Sequence, residues 1–164
     1  MNILKTDLGL IIIRPHIFED YRGEYAEIYN ENKNKINGID IHFVQDDISI
    51  SNKYVLKGIH GDSETWKLVS CLYGRIYLVA VNCDTDSKNF GKWESFIISD
   101  KDYKQILLPP KFGNSILTIS DKSIFHYKQS TYYKRISQFT YKWNDARFGI
   151  NWPISNPILS ERDK

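Results

Sequence analysis

What the chain lacks narrows its chemistry before any motif is read. Cysteine is scarce: Cys71 and Cys83 lie in or beside strand-like runs and have no metal-ligand spacing. Two buried thiols in a reducing compartment are the expected arrangement, with a disulfide as the alternative. The four histidines, His16, His42, His60 and His126, stand far apart and form no His-x-His pair, so no bound metal is expected. There is no Gly-rich phosphate loop and no Gly-x-Ser-x-Gly elbow. A phosphate-bearing ligand would therefore need separate cations, for which Arg22, Lys57 and Lys67 are candidates. An excess of one charge is missing too. A net charge of +2 with scattered lysines implies neither a nucleic-acid partner nor an anionic membrane. The apolar run Leu8–Ile13 is too short to span a bilayer and ends at Arg14-Pro15. Asp7 sits where a secretion signal carries positive charge. A soluble cytoplasmic protein is expected.

A helical period is almost absent, and β signals fill the space. Aromatics make up 14% of the 164 residues and isoleucines are many, which favours strands in one domain with a proper core. Residues 8–14 read as an edge or first strand ended by Pro15. Residues 18–27 read as a charged turn at Gly23 leading into a short strand. Residues 30–38 end in Asn-Gly and read as a loop or frayed helix. Over 39–51 the apolar phase slips near Gln45–Asp47, which predicts a bulge or a strand crossing. Strands follow at 55–60 and 67–81, the latter with a hairpin turn at Tyr73-Gly74. Further strands are read at 93–99, 105–108 and 138–143, with a hairpin of 115–120 and 123–129 around Asp121-Lys122. The tail after Trp143 looks irregular. About ten short, evenly spaced strands predict an all-β, antiparallel sandwich or barrel, best read as a jelly roll.

Within this frame a histidine and a lysine, seven residues apart, stand at strand ends. Imidazole suits proton transfer near neutral pH, and an ammonium can stabilise an oxyanion. Alternation places His60 with Leu56 and Gly58 on one face; a rim histidine satisfied by a carbonyl is the plain alternative. Lys67 shares a face with Val69 and Cys71 and must reach an opening or a partner, because an unpaired buried charge is costly. A solvent-facing strand end is the alternative there. Tyr127 lies with Phe125 and Gln129, where a core tyrosine is common. His126 points the other way, toward the surface, and neither His16 nor His42 has a partner suggested by spacing.

Many ordered segments together resemble the dTDP-4-dehydrorhamnose 3,5-epimerase family. They begin with Phe18-x-Asp20-x-Arg22-Gly23, Phe43-Val44-Gln45-Asp46 and Val55-Leu56-Lys57-Gly58-Ile59-His60. Phe90-Gly91-Lys92-Trp93, Pro109-Pro110-x-Phe112, Tyr127-Lys128, Tyr132-Tyr133 and Trp143-Asn144-Asp145 continue the series. Gly149-Ile150-Asn151-Trp152-Pro153 and Pro157-Ile158-Leu159-Ser160-Glu161-Arg162-Asp163 close it. The resemblance implies a cupin-like jelly roll that epimerises nucleotide-diphospho-4-keto sugars without a cofactor or metal. It implies that His60 is the base, Asp163 its dyad partner, Tyr127 the proton donor and Lys67 the group beside the ketone. It matches Tyr133 to an aromatic stacked on the ligand, and Gln45 and Asp47 to a further binding stretch. It matches Arg22 and Glu27 to groups that reach the nucleotide sugar, often across a homodimer interface.

The sequence also departs from the family pattern. Lys57 replaces an arginine, which loses a bidentate phosphate fork. Gly113-Asn114-Ser115 stands for Ala-His-Gly, so Asn114 takes the place of a second histidine. Asp47 stands for an asparagine, Gln138 for an acid, and the His60–Lys67 segment is short. These substitutions leave open GDP or dTDP, a hexose or a heptose, and inversion at C3 alone or at C3 and C5. A 3,4-ketoisomerase and a non-catalytic sugar-binding module are the rival readings. The expected role is in the synthesis of capsule or lipopolysaccharide precursors.

Overall fold

The computed structural model describes all 164 residues. The chain opens with β1 (Asn2–Lys5), β2 (Ile11–Arg14) and a small hairpin of β3 (Ile17–Asp20) and β4 (Gly23–Ala26). The polar stretch after it forms one short helix, α1 (Glu31–Ile36). Asn30 caps it by accepting a hydrogen bond from the Lys33 N–H, and the helix ends at Asn37-Gly38. Next come β5 (Gln45–Asn52), β6 (Leu56–Gly61), β7 (Lys67–Tyr73) and β8 (Arg75–Asn82). The chain continues through β9 (Trp93–Ser99), β10 (Gln105–Leu108), β11 (Phe112–Thr118) and β12 (Lys122–Gln129), and ends its strands with β13 (Phe139–Thr140).

Two antiparallel sheets face each other. One has the order β1-β2-β10-β7-β12-β5 and the other β13-β6-β11-β8-β9. From β5 onward the chain changes sheet at every step except β8 to β9. This is the jelly-roll winding, and it corrects both predicted hairpins. β7 and β8 meet at Gly74 but lie in different sheets, and so do β11 and β12. The phase slip near Gln45 is corrected as well. Residues 39–44 form no strand; Ile39, Ile41 and Phe43 instead cap the outer side of the six-stranded sheet. The slip marks where β5 begins.

The alternating strands bury three apolar layers. The central one lies between the sheets and contains Val69, Cys71, Leu78, Ile106, Ile116 and Phe125. A second covers the outer side of the five-stranded sheet, where Ile59, Val79, Val81 and Phe148 pack with Phe139, Tyr141 and Trp152. Having cover on both sides explains why β8 is apolar at consecutive positions. The two cysteines are free and buried, Cys71 in the central layer and Cys83 in the outer one. His126 is not at the surface as alternation suggested. Its side chain is 12% exposed, and Nε2 lies 3.4 Å from Asp46 of the neighbouring strand.

Candidate active site

β6 carries the residue around which the site forms, and it is not a regular strand. Across to β11, His60 pairs with Asn114 while Lys57 pairs with Ile116, so β6 holds one extra residue between them. Gly58 occupies the bulge at φ +105°, where a Cβ would come within 2.4 Å of the Asn114 carbonyl oxygen. Only glycine fits there. The bulge resets the parity, so His60 shares the interior face with Lys57, not with Leu56 and Gly58 as simple alternation predicted.

The segment 158–163 returns alongside β6 and delivers a carboxylate. Ile158 bridges in parallel to Val55, and its carbonyl accepts from the Leu56 N–H. Asp163, only 2% exposed, then places Oδ1 2.7 Å from His60 Nε2. The same carboxylate accepts from the Gly58 N–H at 3.2 Å and from the Ser160 hydroxyl at 2.7 Å. Nε2 is shut away, leaving Nδ1 as the open ring nitrogen. Burial pushes the His60 pKa down; Asp163 pulls it back up, and the net position is below the ordinary value.

Tyr127 and Lys67 come from the opposing sheet. Tyr127 sits on β12 across from Val69, and Lys67 on β7 across from Gln129. The parity predicted for Phe125, Tyr127 and Gln129 holds, since all three face the same cavity as His60. Burial, with Asp47 and Tyr133 nearby, pushes the Tyr127 phenol up to about 12. Lys67 is 8% exposed, and burial lowers its pKa while the charge of Asp62 opposes that shift.

The cavity so formed is about 230 Å3. Three cations line it, Lys57, Lys67 and Arg162, and no carboxylate does, so it is built for an anionic ligand. Ser49, whose hydroxyl accepts from Lys57 Nζ, and Asn114, Tyr133 and Gln138 complete its polar wall. Size alone does not single it out. A larger, shallower depression of about 560 Å3 lies over residues 143–155 but is lined by neither a histidine nor a cation.

Besides Asp163, which stands behind His60, four sequence-chosen residues do not line the cavity. Gln45 and Asp47 lie behind its wall: Gln45 accepts from the Tyr133 N–H at 2.8 Å, and Asp47 accepts from Gln45 and Gln129. Arg22 is exposed in the β3–β4 turn and paired with Asp20, and Glu27 is paired with Lys33. Neither lines the pocket of its own chain. Arg162 also lines the cavity, and nothing in its spacing separates it from any surface arginine. Its neighbour Asp163 was the available signal.

Comparison with known proteins points the same way. Residues 6–164 match the pattern of the dTDP-4-dehydrorhamnose 3,5-epimerase family. The chain is 37% identical to the dTDP-4-dehydrorhamnose 3,5-epimerase of Escherichia coli K12, covering 100% of this chain and 92% of that one. Among solved structures it is similar to a dTDP-6-deoxy-D-glucose-3,5-epimerase of Legionella pneumophila bound to dTDP-4-keto-L-rhamnose. That match has TM-score 0.92 and 35% identity, covering 99% and 89% of the two chains. It is also similar to a 3'-monoepimerase of Streptomyces bikiniensis in complex with dTDP-quinovose, with TM-score 0.88 and 26% identity over 94% and 81%.

Proposed function

The chain belongs to the dTDP-4-dehydrorhamnose 3,5-epimerase family, and from that premise we propose that its barrel pocket inverts carbons flanking the C4 ketone of a nucleotide-diphospho-4-keto sugar. The ketone makes the C3 and C5 hydrogens acidic, since the carbanion formed is an enolate. His60 Nδ1 takes the proton, and Asp163 holds the ring and supports the imidazolium. Lys67 neutralises the enolate oxygen. Tyr127 keeps its proton at neutral pH, because its pKa is about 12, and returns that proton from the other face, which inverts the centre. Lys57 and Arg162 hold the diphosphate as separate cations. Tyr133, half-exposed at the mouth, packs on the ligand, with Asn114 and Gln138 as polar contacts. Gln45 and Asp47 act on the ligand through Tyr133 and Gln129.

The observation that carries this reading is the convergence of His60 and Tyr127 from opposite sheets on one cavity. Inversion needs exactly such a two-sided approach. The enzyme works in the cytoplasm as a homodimer, Arg22 and Glu27 reaching the partner's ligand, and supplies precursors for capsule or lipopolysaccharide. The test is incubation with dTDP- and GDP-linked 4-keto sugars in heavy water. Deuterium at C3, or at C3 and C5, with inverted configuration supports epimerisation. A moved carbonyl in the product spectrum would instead mean ketoisomerisation, and no exchange at all a binding module. His60→Asn should lower wash-in by roughly 10²–10⁴-fold; unchanged exchange would remove His60 as the base.

A further inference from the structure

The cations of the cavity are held differently from those elsewhere on the molecule. Outside it, Arg22 is forked onto Asp20, Arg147 onto Asp145, and Lys128 is paired with Asp46. Each of those charges is offset by its partner's. Within the cavity, Lys57, Lys67 and Arg162 have no carboxylate oxygen within 4.0 Å. Two of them are tied to hydroxyl oxygens instead. Arg162 donates to Thr140 Oγ1 from Nε at 3.2 Å and from Nη2 at 2.9 Å, and Lys57 Nζ donates to Ser49 Oγ. Thr140 lies on β13 across from His60, and Ser49 on β5 across from Phe125. The second tie therefore spans the barrel from one sheet to the other.

We propose that Thr140 and Ser49 are positioning residues, uncharged tethers that fix Arg162 and Lys57 for a diphosphate while leaving their positive charge free to act on it. The inference rests on the epimerase reading, which gives these two cations to the diphosphate, and it names what holds them. A long cationic side chain loses rotamer freedom when it is held still, and a tether formed on folding removes that cost from binding. A carboxylate would hold it too, but would compete with the phosphate for the charge. A hydroxyl oxygen accepts without competing. Two donors on one oxygen also set the plane of the guanidinium, leaving Nη1 and the second N–H of Nη2 to the ligand. Ser49 contributes twice. Its lone pair receives Lys57, and its own proton, with no acceptor in the chain, is left for a phosphate oxygen. Lysine and serine together thus present two neighbouring donors where the family's arginine would present a fork. Lys57 and the Thr140 anchor stand two residues of β11 apart along the sheet, about 7 Å, so each phosphate of a diphosphate has its own cation.

The test is calorimetric binding of inorganic pyrophosphate, which needs no turnover. Thr140→Val keeps the shape of the side chain and removes the acceptor, and its affinity should fall by about fivefold to tenfold. Ser49→Ala should lose a similar factor. Thr140→Ser retains the hydroxyl and should bind as the wild type does. Thr140→Asp keeps an acceptor for Arg162 but adds a negative charge, and should bind more weakly than Thr140→Val. That order separates an uncharged tether from a contact that only supports the fold. With a 4-keto sugar that turns over, the loss in T140V and S49A should appear in KM, with kcat changing less. The proposal is overturned if pyrophosphate does not bind the wild-type protein, or if folded T140V and S49A bind it as tightly as wild type. It is equally overturned if T140D binds as well as T140S, or if the loss falls on kcat alone. Wild-type protein that binds pyrophosphate with the expected order of variants, yet turns over no 4-keto sugar, would instead sink the epimerase reading and leave the tethers standing.

Discussion

At the scale of single residues, the site predicts its own pH profile. His60 must be neutral to act as base, and its pKa lies below 6.5 because burial disfavours the imidazolium. The acid limb of kcat/KM for free enzyme should therefore have its midpoint below 6.5. The same shift makes the unfolded chain bind more protons in that range, so stability falls as pH drops below about 6.5. On the alkaline side Lys67, lowered from 10.5, loses its proton before Tyr127 at about 12. A profile whose alkaline limb follows the tyrosine would contradict the role given to Lys67. Tyr127→Phe should leave deuterium exchange at the position His60 reaches but abolish inversion, read by NMR as labelled, unepimerised sugar. His60 and Lys67 could be selected from residue type and strand position together with the family resemblance, Tyr127 and Asp163 through the resemblance. Arg162 could not, since its meaning comes from the cavity it shares with Lys57, His60 and Lys67, far from it along the chain. The acid expected at position 138 is a related case: Gln138 instead bonds to a carboxylate supplied from the β6–β7 loop.

At the scale of elements, β6 is the sensitive point. Gly58→Ala would place a methyl group against the Asn114 carbonyl at positive φ. The cost should be about 2–4 kcal/mol in denaturant unfolding. Activity should fall further than stability, because the Gly58 N–H also holds Asp163. A variant with wild-type activity would show that the bulge does not set the dyad. Most strands were legible, and 93–99 and 105–108 match β9 and β10 to the residue; β1 was not, and the strand read at 138–143 is only Phe139–Thr140. Strand pairing was not. A glycine turn such as Tyr73-Gly74-Arg75 looks the same whether the chain doubles back in one sheet or crosses to the other. Only the global winding decides, and it is set by the burial of all three layers together. The two-residue parity rule failed at Lys57–His60 for a similar reason, since a glycine inside a strand can conceal a bulge.

At the scale of the whole molecule, Arg22 and Glu27 lie on the small β3–β4 arm and the segment after it, away from their own pocket. Exposed Phe18, Tyr21 and Tyr25 on the same arm agree with a covering partner. If the arm serves a second subunit, Arg22→Ala and His60→Asn should each be poorly active alone. Refolded together in equal amounts, they should recover about a quarter of wild-type turnover, since half the dimers are mixed and each has one intact site. No recovery, or a monomer by analytical ultracentrifugation, would count against an arm shared between subunits.

The apolar filling between the sheets has a stereochemical consequence. Few side-chain hydrogen bonds join the wall that carries the imidazole to the wall that carries the phenol, Lys57 to Ser49 and Thr118 with Ser123 among them; Ile116, Phe125 and their neighbours act as the spacer. Thinning that layer, for example by Leu78→Ala, should do more than cost about 2–5 kcal/mol. It should let the two walls settle closer or slide, and so change how often a deprotonated sugar is quenched from the face it came from. Handedness of the product is then a property of hydrocarbon packing, measurable as the ratio of labelled starting sugar to labelled epimer.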